Sequence, residues 1–159
     1  MTQAEQDDAP RIIVGVDGSE SSKDALRWAL RYSDLTGTRV TAVTTWQYPT
    51  TDYGLTGVPP ESELWRPDLD AARSLDATLT DVLGDDRPVA LGTLTAEGNA
   101  ARVLIELSAG AALLVVGSRG HGGFAGLLLG SVSSACAHHA QCPVLVMHGD
   151  VDAAAPGEG

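Results

Sequence analysis

The chain predicts an α/β fold, an open five-stranded parallel sheet with helices on both faces. Two observations carry that expectation. Five short runs are rich in apolar and β-branched residues and read as near-continuous rather than alternating, which marks strands buried on both faces. Segments with helical periodicity separate them, and strand–helix alternation of this kind implies a parallel sheet with right-handed crossovers.

The first strand is expected over residues 11–16, through Ile12, Ile13 and Val14. The helix after it carries Leu26, Ala29 and Leu30 on one stripe, with Ser21 and Asp24 placed for a capping box and Gly37 placed to end it. A second strand is expected over 38–46. The twenty residues of 47–66 then lack periodicity and contain Gly54, Gly57, Pro59 and Pro60. Irregular connections of that length are lids, interaction segments or disordered stretches. Leu75, Leu79, Val82 and Leu83 mark the second helix, stopped by Gly84, and the third strand follows at 88–94. Val103, Leu104 and Leu107 mark the third helix, with Gly110 beyond, and 112–117 the fourth strand. The fourth helix groups Val132, Ala135, Cys136, His139 and Ala140 on one face. Pro143 then forces the chain extended into the last strand, 142–148.

No repeat or second core interrupts this pattern, so residues 11–148 are expected to form one domain between flexible tails at 1–10 and 149–159. The formal charge of −11 comes partly from those tails, since Glu5, Asp7, Asp8, Asp150, Asp152 and Glu158 lie in them. Setting these aside leaves 15 acidic against 10 basic residues. Such a surface repels a phosphate backbone at long range and argues against nucleic-acid binding, while a pocket can still hold a nucleotide. The apolar run 111–116 is far short of the roughly 20 residues a spanning helix needs. The first ten residues have neither a basic nor an apolar region of the kind export signals carry. With two cysteines, the expected compartment is a reducing cytoplasm, with no membrane association.

Beyond the fourth strand the chain reads Gly117-Ser118-Arg119-Gly120-His121-Gly122-Gly123, then reaches Gly130-Ser131-Val132-Ser133. So many glycines cost chain entropy unless the backbone needs unusual dihedrals or close approach to a ligand. Successive glycine N–H groups can also form a concavity for an anion. Gly130 and Ser131 stand at a helix start, where free amides and the helix dipole favour phosphate. The hydroxyls of Ser131 and Ser133 can donate, and Arg119 or His121 can add positive charge. The alternative is a flexible connection with Ser131 as an ordinary N-cap. A P-loop is excluded because it needs a lysine after its last glycine, and Lys23 is the only lysine. The turn after the first strand, Asp17-Gly18-Ser19, lacks the dinucleotide glycine pattern.

The spacing from Gly117 over two residues to Gly120, then over nine to Gly130-Ser131, resembles the signature of ATP-binding universal stress proteins. Residues 12–19, 113–120 and 142–146 resemble that family's first strand and turn, fourth strand and last strand. The resemblance holds in order over about 10–148. It implies a Rossmann-like sheet of order 3-2-1-4-5 with ATP at the junction of strands one and four. Gly15 and Asp17 would then lie near adenine and ribose, Thr45 would border adenine through its backbone, and Val116 and Gly117 would pass the ribose. The resemblance further implies that Gly120, His121, Gly122, Gly130, Ser131 and Val132 surround the triphosphate, with Ser133 as a further donor. Ser118, Arg119 and Gly123 belong to the same loop. Mg²⁺ would enter with the phosphates, and the family's habit of pairing through the last strand implies a homodimer with an unidentified regulatory partner. Thr44, where many members carry histidine, and Asn99, where proline is common, depart from the pattern. Asp17 also has a simpler reading, as an Asp-Gly-Ser turn residue bonding its own backbone.

Cys136, His138, His139 and Cys142 match no common zinc spacing; a packed cysteine and a core or interface histidine is the favoured reading. The tryptophans at 28, 46 and 65 are assigned to packing or the loop. For catalysis, His121 beside phosphates could position water, but no Walker-type lysine or acidic metal pair accompanies it. ATP sensing without enzymatic turnover is therefore expected, with slow ATP hydrolysis and a nucleotide-free interaction domain as the alternatives.

Overall fold

The structure, a computed structural model, describes residues 9–48, 65–119 and 129–148. Five strands, β1 (Ile12–Gly15), β2 (Val40–Trp46), β3 (Leu91–Glu97), β4 (Leu113–Gly117) and β5 (Val144–Met147), alternate with four helices. These are α1 (Glu20–Thr36), α2 (Pro67–Leu83), α3 (Ala100–Ser108) and α4 (Ser131–His139). Every pairing is parallel and the order is β3-β2-β1-β4-β5, as the resemblance implied. Ile12 sits beside Val40 on one side and Leu113 on the other.

Period-two alternation sends β1 into two separate cores. Ile12 and Val14 face a cluster built with Ala25, Leu26 and Ala29 of α1 and Leu75 and Leu79 of α2. Ile13 faces the opposite cluster, with Val103 and Leu104 of α3 and Cys136 of α4. Helices thus cover both faces in pairs, α1 with α2 and α3 with α4. That is why the central strands carry no polar alternation. The edge strands are less buried, and β3 leaves Thr93 and Glu97 exposed.

Several ends differ from the sequence expectation. The first helix is capped by Ser19, whose hydroxyl accepts the Ser22 N–H, rather than by a box from Ser21 to Asp24. Ser21 is instead buried within the first turn. Its partner lies 98 residues away, which no local pattern could supply. Gly37 ends α1 in the left-handed region at φ 73°, a conformation that costs other residues steric strain. Asn99 caps α3 by accepting the Arg102 N–H, a role its side chain is suited to. Strand β3 begins three residues late because Pro88 leads a turn in which the Leu91 N–H donates to the Pro88 carbonyl. Val132 and Cys136 of α4 and the capping Ala140 pack into the core while His139 is exposed, so it is not a core histidine. The expected tails and the loop 47–66 fall almost wholly outside the described residues.

Candidate functional site

Strands β1 and β4 are neighbours whose following helices lie on opposite faces of the sheet. Their carboxyl ends therefore open a crevice, the usual ligand position in an open parallel sheet. A cavity of about 570 Å³ lies there.

On the β1 side, the Val16 N–H donates to the Val43 carbonyl at 2.8 Å and extends the ladder one residue past the strand. The chain then turns at Asp17. Oδ1 of Asp17 accepts the Ser19 N–H at 2.9 Å and the Ser19 hydroxyl. The local turn anticipated for this carboxylate is therefore present on Oδ1, while Oδ2 has no partner among the described residues. Thr44 donates its hydroxyl to the Val16 carbonyl at 2.8 Å and holds the tops of β1 and β2 together.

On the β4 side, Gly117 passes so close to α1 that a Cβ there would stand 2.8 Å from the Ser21 carbonyl carbon and 2.9 Å from its Cβ. Only glycine fits without a shift. The Ser21 hydroxyl then donates to the Arg119 carbonyl at 2.8 Å. Ser118 joins the ladder through its N–H to the Met147 carbonyl at 2.7 Å. Its own carbonyl accepts the Gly130 N–H at 2.7 Å and the Ser133 hydroxyl at 3.1 Å. Residues 118 and 130 are thus stapled together at the start of α4.

Of the residues singled out from the sequence, Gly15, Asp17, Thr45, Val116, Gly117, Arg119, Gly130, Ser131, Val132 and Ser133 all line this one cavity. Ser118 does not; it is 4% exposed and braces the wall from behind. Ser133 shares its hydroxyl between the Ser118 and Gly130 carbonyls, so its hydrogen serves the staple and only its lone pairs face other partners. Gly120, His121, Gly122 and Gly123 lie outside the described residues. Gly130 is the N-cap of α4 and no side chain caps that first turn. The amides of Ser131, Val132 and Ser133 therefore begin the helix beside the cavity, with the positive end of its dipole. The charged residues of the described lining are Arg119 on one side and Asp17 and Asp70 on the other.

Sequence reasoning missed the second wall. Trp46 lines the cavity, meets Tyr48 edge-on at 5.6 Å, and Tyr48 meets Trp65 in the same way at 5.7 Å. Pro67, Asp70, Ala71 and Ser74 line it from α2. Their spacing is a single helical stripe. The available signal was topological, because a helix that follows a parallel strand starts at that strand's carboxyl end.

Both cysteines are free. Burial, with a smaller contribution from Cys142, pushes the Cys136 thiol up to about 11, so it is neither a thiolate nucleophile nor a ready metal ligand. Among the described residues no group of three His, Cys, Asp or Glu side chains could hold a metal. None of the described helices is long and apolar enough to cross a membrane.

A model of the universal stress protein family matches residues 9–148. A universal stress protein of Mycolicibacterium smegmatis is 36% identical over 150 residues, covering 90% of this chain and 49% of its own length. The chain thus spans about half the length of the curated relatives it matches. Two solved structures share the fold. One is an Archaeoglobus fulgidus universal stress protein in complex with dAMP, 18% identical, with a TM-score of 0.59 over 87% of this chain and 97% of that one. The other is an Arabidopsis thaliana family protein with AMP bound, 20% identical, with a TM-score of 0.56 over 91% and 94%.

Proposed function

This chain belongs to the universal stress protein family, and from that premise we propose that it binds ATP in the β1–β4 crevice and acts as a regulatory, stress-survival protein. One observation carries the reading. The uncapped start of α4, the glycine approach at Gly117 and the half-free carboxylate of Asp17 line a single cavity. The amides of Ser131 to Ser133 and the Arg119 guanidinium suit phosphate oxygens. Asp17 Oδ2 suits a ribose hydroxyl, while Gly15, Thr45 and Val116 border the nucleoside. Gly120, His121, Gly122 and Gly123, which lie outside the described residues, would complete the phosphate side. Mg²⁺ would enter with the nucleotide and neutralise phosphate charge through phosphate oxygens, since Asp17 is the only acidic lining residue from the β1–β4 junction in the described structure.

In this reading residues 11–148 act as one domain in a reducing cytoplasm. A second copy pairs along β5, an edge strand of Val144, Leu145, Val146 and Met147 whose open side would otherwise be an aggregation hazard. Nucleotide occupancy, not turnover, is the signal.

Thermal melts test the reading. Saturating ATP at about 100 times Kd adds about 2.7 kcal/mol and raises the midpoint by about 5–10 °C. Gly130 has φ −71° and ψ 171°, a conformation any residue adopts, so Gly130→Val adds bulk at the cavity wall without forcing a left-handed backbone, at the roughly 1 kcal/mol that an apolar N-cap costs. The variant should melt within a few degrees of wild type and lose the ATP shift. An undiminished shift would place the nucleotide elsewhere.

A further inference from the structure

We propose that the acidic segment following β5 occupies the phosphate end of the crevice, through Asp150 and Asp152, when no nucleotide is bound. It thereby sets the nucleotide concentration at which the site fills, a regulation that rests on the nucleotide reading above. Both residues lie outside the described structure, while the point from which they leave lies within it. In a parallel sheet every strand ends at the same edge, so β5 delivers its chain to the edge where the crevice opens. Gly117 stands beside Met147, and the Ser118 N–H donates to the Met147 carbonyl at 2.7 Å. His148 therefore leaves the sheet next to Ser118, one residue from Arg119. At no more than about 3.6 Å per residue, Asp150 stays within about 7 Å of that point and Asp152 within about 14 Å.

The β4 side of the cavity suits a carboxylate. Arg119 is the only basic residue of the described lining, and no ion pair holds it among the described residues. The Ser21 hydroxyl fixes its carbonyl, so its backbone has a set position beside β4. The acidic lining residues, Asp17 and Asp70, belong to the turn after β1 and to α2, on the other side of the cavity. The amides of Ser131, Val132 and Ser133 begin α4 with no side chain capping them, next to the staple at residue 118. A carboxylate oxygen accepts from the same donors as a phosphate oxygen. A carboxylate tethered a few residues away meets them at an effective concentration in the millimolar range.

The acidic residues ahead of β1 are placed differently. Asp7 and Asp8 precede Ile12, where β1 begins at the opposite edge of the sheet, and the length of β1 separates that edge from the crevice. The two acidic segments thus enter at opposite ends, and only the one after β5 is delivered to Arg119. This contrast separates a local contact from the general repulsion of a nucleotide by the net charge of −11. A nucleotide brings base and ribose contacts as well as phosphates, and so displaces the segment. The segment in turn lowers the apparent affinity in proportion to the time it spends bound.

Titration calorimetry of the full chain with MgATP tests this, comparing wild type with two double variants, Asp150→Asn with Asp152→Asn and Asp7→Asn with Asp8→Asn. Both variants remove the same charge, from opposite edges of the sheet. A segment bound about two-thirds of the time weakens ATP binding about threefold. D150N/D152N should therefore bind ATP about threefold more tightly than wild type, while D7N/D8N matches wild type. Equal affinities for D150N/D152N and wild type overturn the inference and leave the nucleotide reading standing. An equal gain in both double variants overturns it as well, because net charge alone then accounts for the gain. Binding by D150N/D152N alone is the expected effect at larger amplitude. Failure of all the forms to bind removes the nucleotide reading and this inference with it.

Discussion

At Gly117 the fold and the site meet in one missing methyl group. The close approach of β4 to the first turn of α1 sets the position of Arg119, because the Ser21 hydroxyl holds its carbonyl. Gly117→Ala forces a backbone shift that should cost about 1–3 kcal/mol, a fall of roughly 3–10 °C in the melting midpoint. An unchanged midpoint would show that the contact yields freely. A second residue-scale expectation concerns Cys136, which is fully buried. Its folded pKa lies near 11 against an ordinary 9.0, so folding favours the protonated thiol. That contribution is fully present below pH 9 and is lost as pH rises toward 11. Stability should therefore fall across that window, and Cys136→Ala should flatten the fall relative to wild type. Denaturant titrations at pH 8 and pH 10.5 check it.

At this scale the sequence was informative about residue type and silent about partners. The glycines and serines of the loop were legible as a phosphate-binding composition. That the Ser118 carbonyl accepts from Gly130 and Ser133 was not, because residues 118 and 130 to 133 meet only in the folded structure. Asp70 and Ser74 lay on a helix stripe indistinguishable from an ordinary amphipathic one until α2 was seated against the sheet.

Among the elements, α4 bears most directly on function. It is only nine residues long, and its two buried residues are Ser133 and Cys136. Its position therefore depends on the staple between Ser118, Gly130 and Ser133 as well as on packing. Ser133→Ala removes one of two donors from each of the Ser118 and Gly130 carbonyls, which keep the Gly130 and Ser134 N–H groups, and should cost about 0.5–1.5 kcal/mol. It should also weaken ATP binding by loosening the helix start. Calorimetry on the variant separates those effects, and an unaltered ATP affinity would show that the staple serves stability alone. Helix existence was readable from periodicity throughout. Helix ends were readable where glycine closed them, as at Gly37 and Gly84, and less so where competing serines offered two possible caps.

For the molecule as a whole, the sheet order follows from the alternation of strands and helices only up to a choice of where the winding reverses. The apolar runs establish five buried strands, but they do not say which pair is split. The glycine loop spacing resolves that choice by resembling a family whose reversal lies between β1 and β4, and the structure has that order. The same order leaves β5 at an edge, and light scattering at micromolar concentration should return twice the chain mass. A monomer would remove the β5 pairing. The position of a bound adenine nucleotide can be mapped residue by residue. Amide chemical shifts of the ¹⁵N-labelled full chain, followed during titration with MgATP, should move in saturable fashion at Gly15, Asp17, Gly117 and Gly130 through Ser133. Shifts that are absent, or that gather away from the ends of β1 and β4, would contradict binding in the crevice.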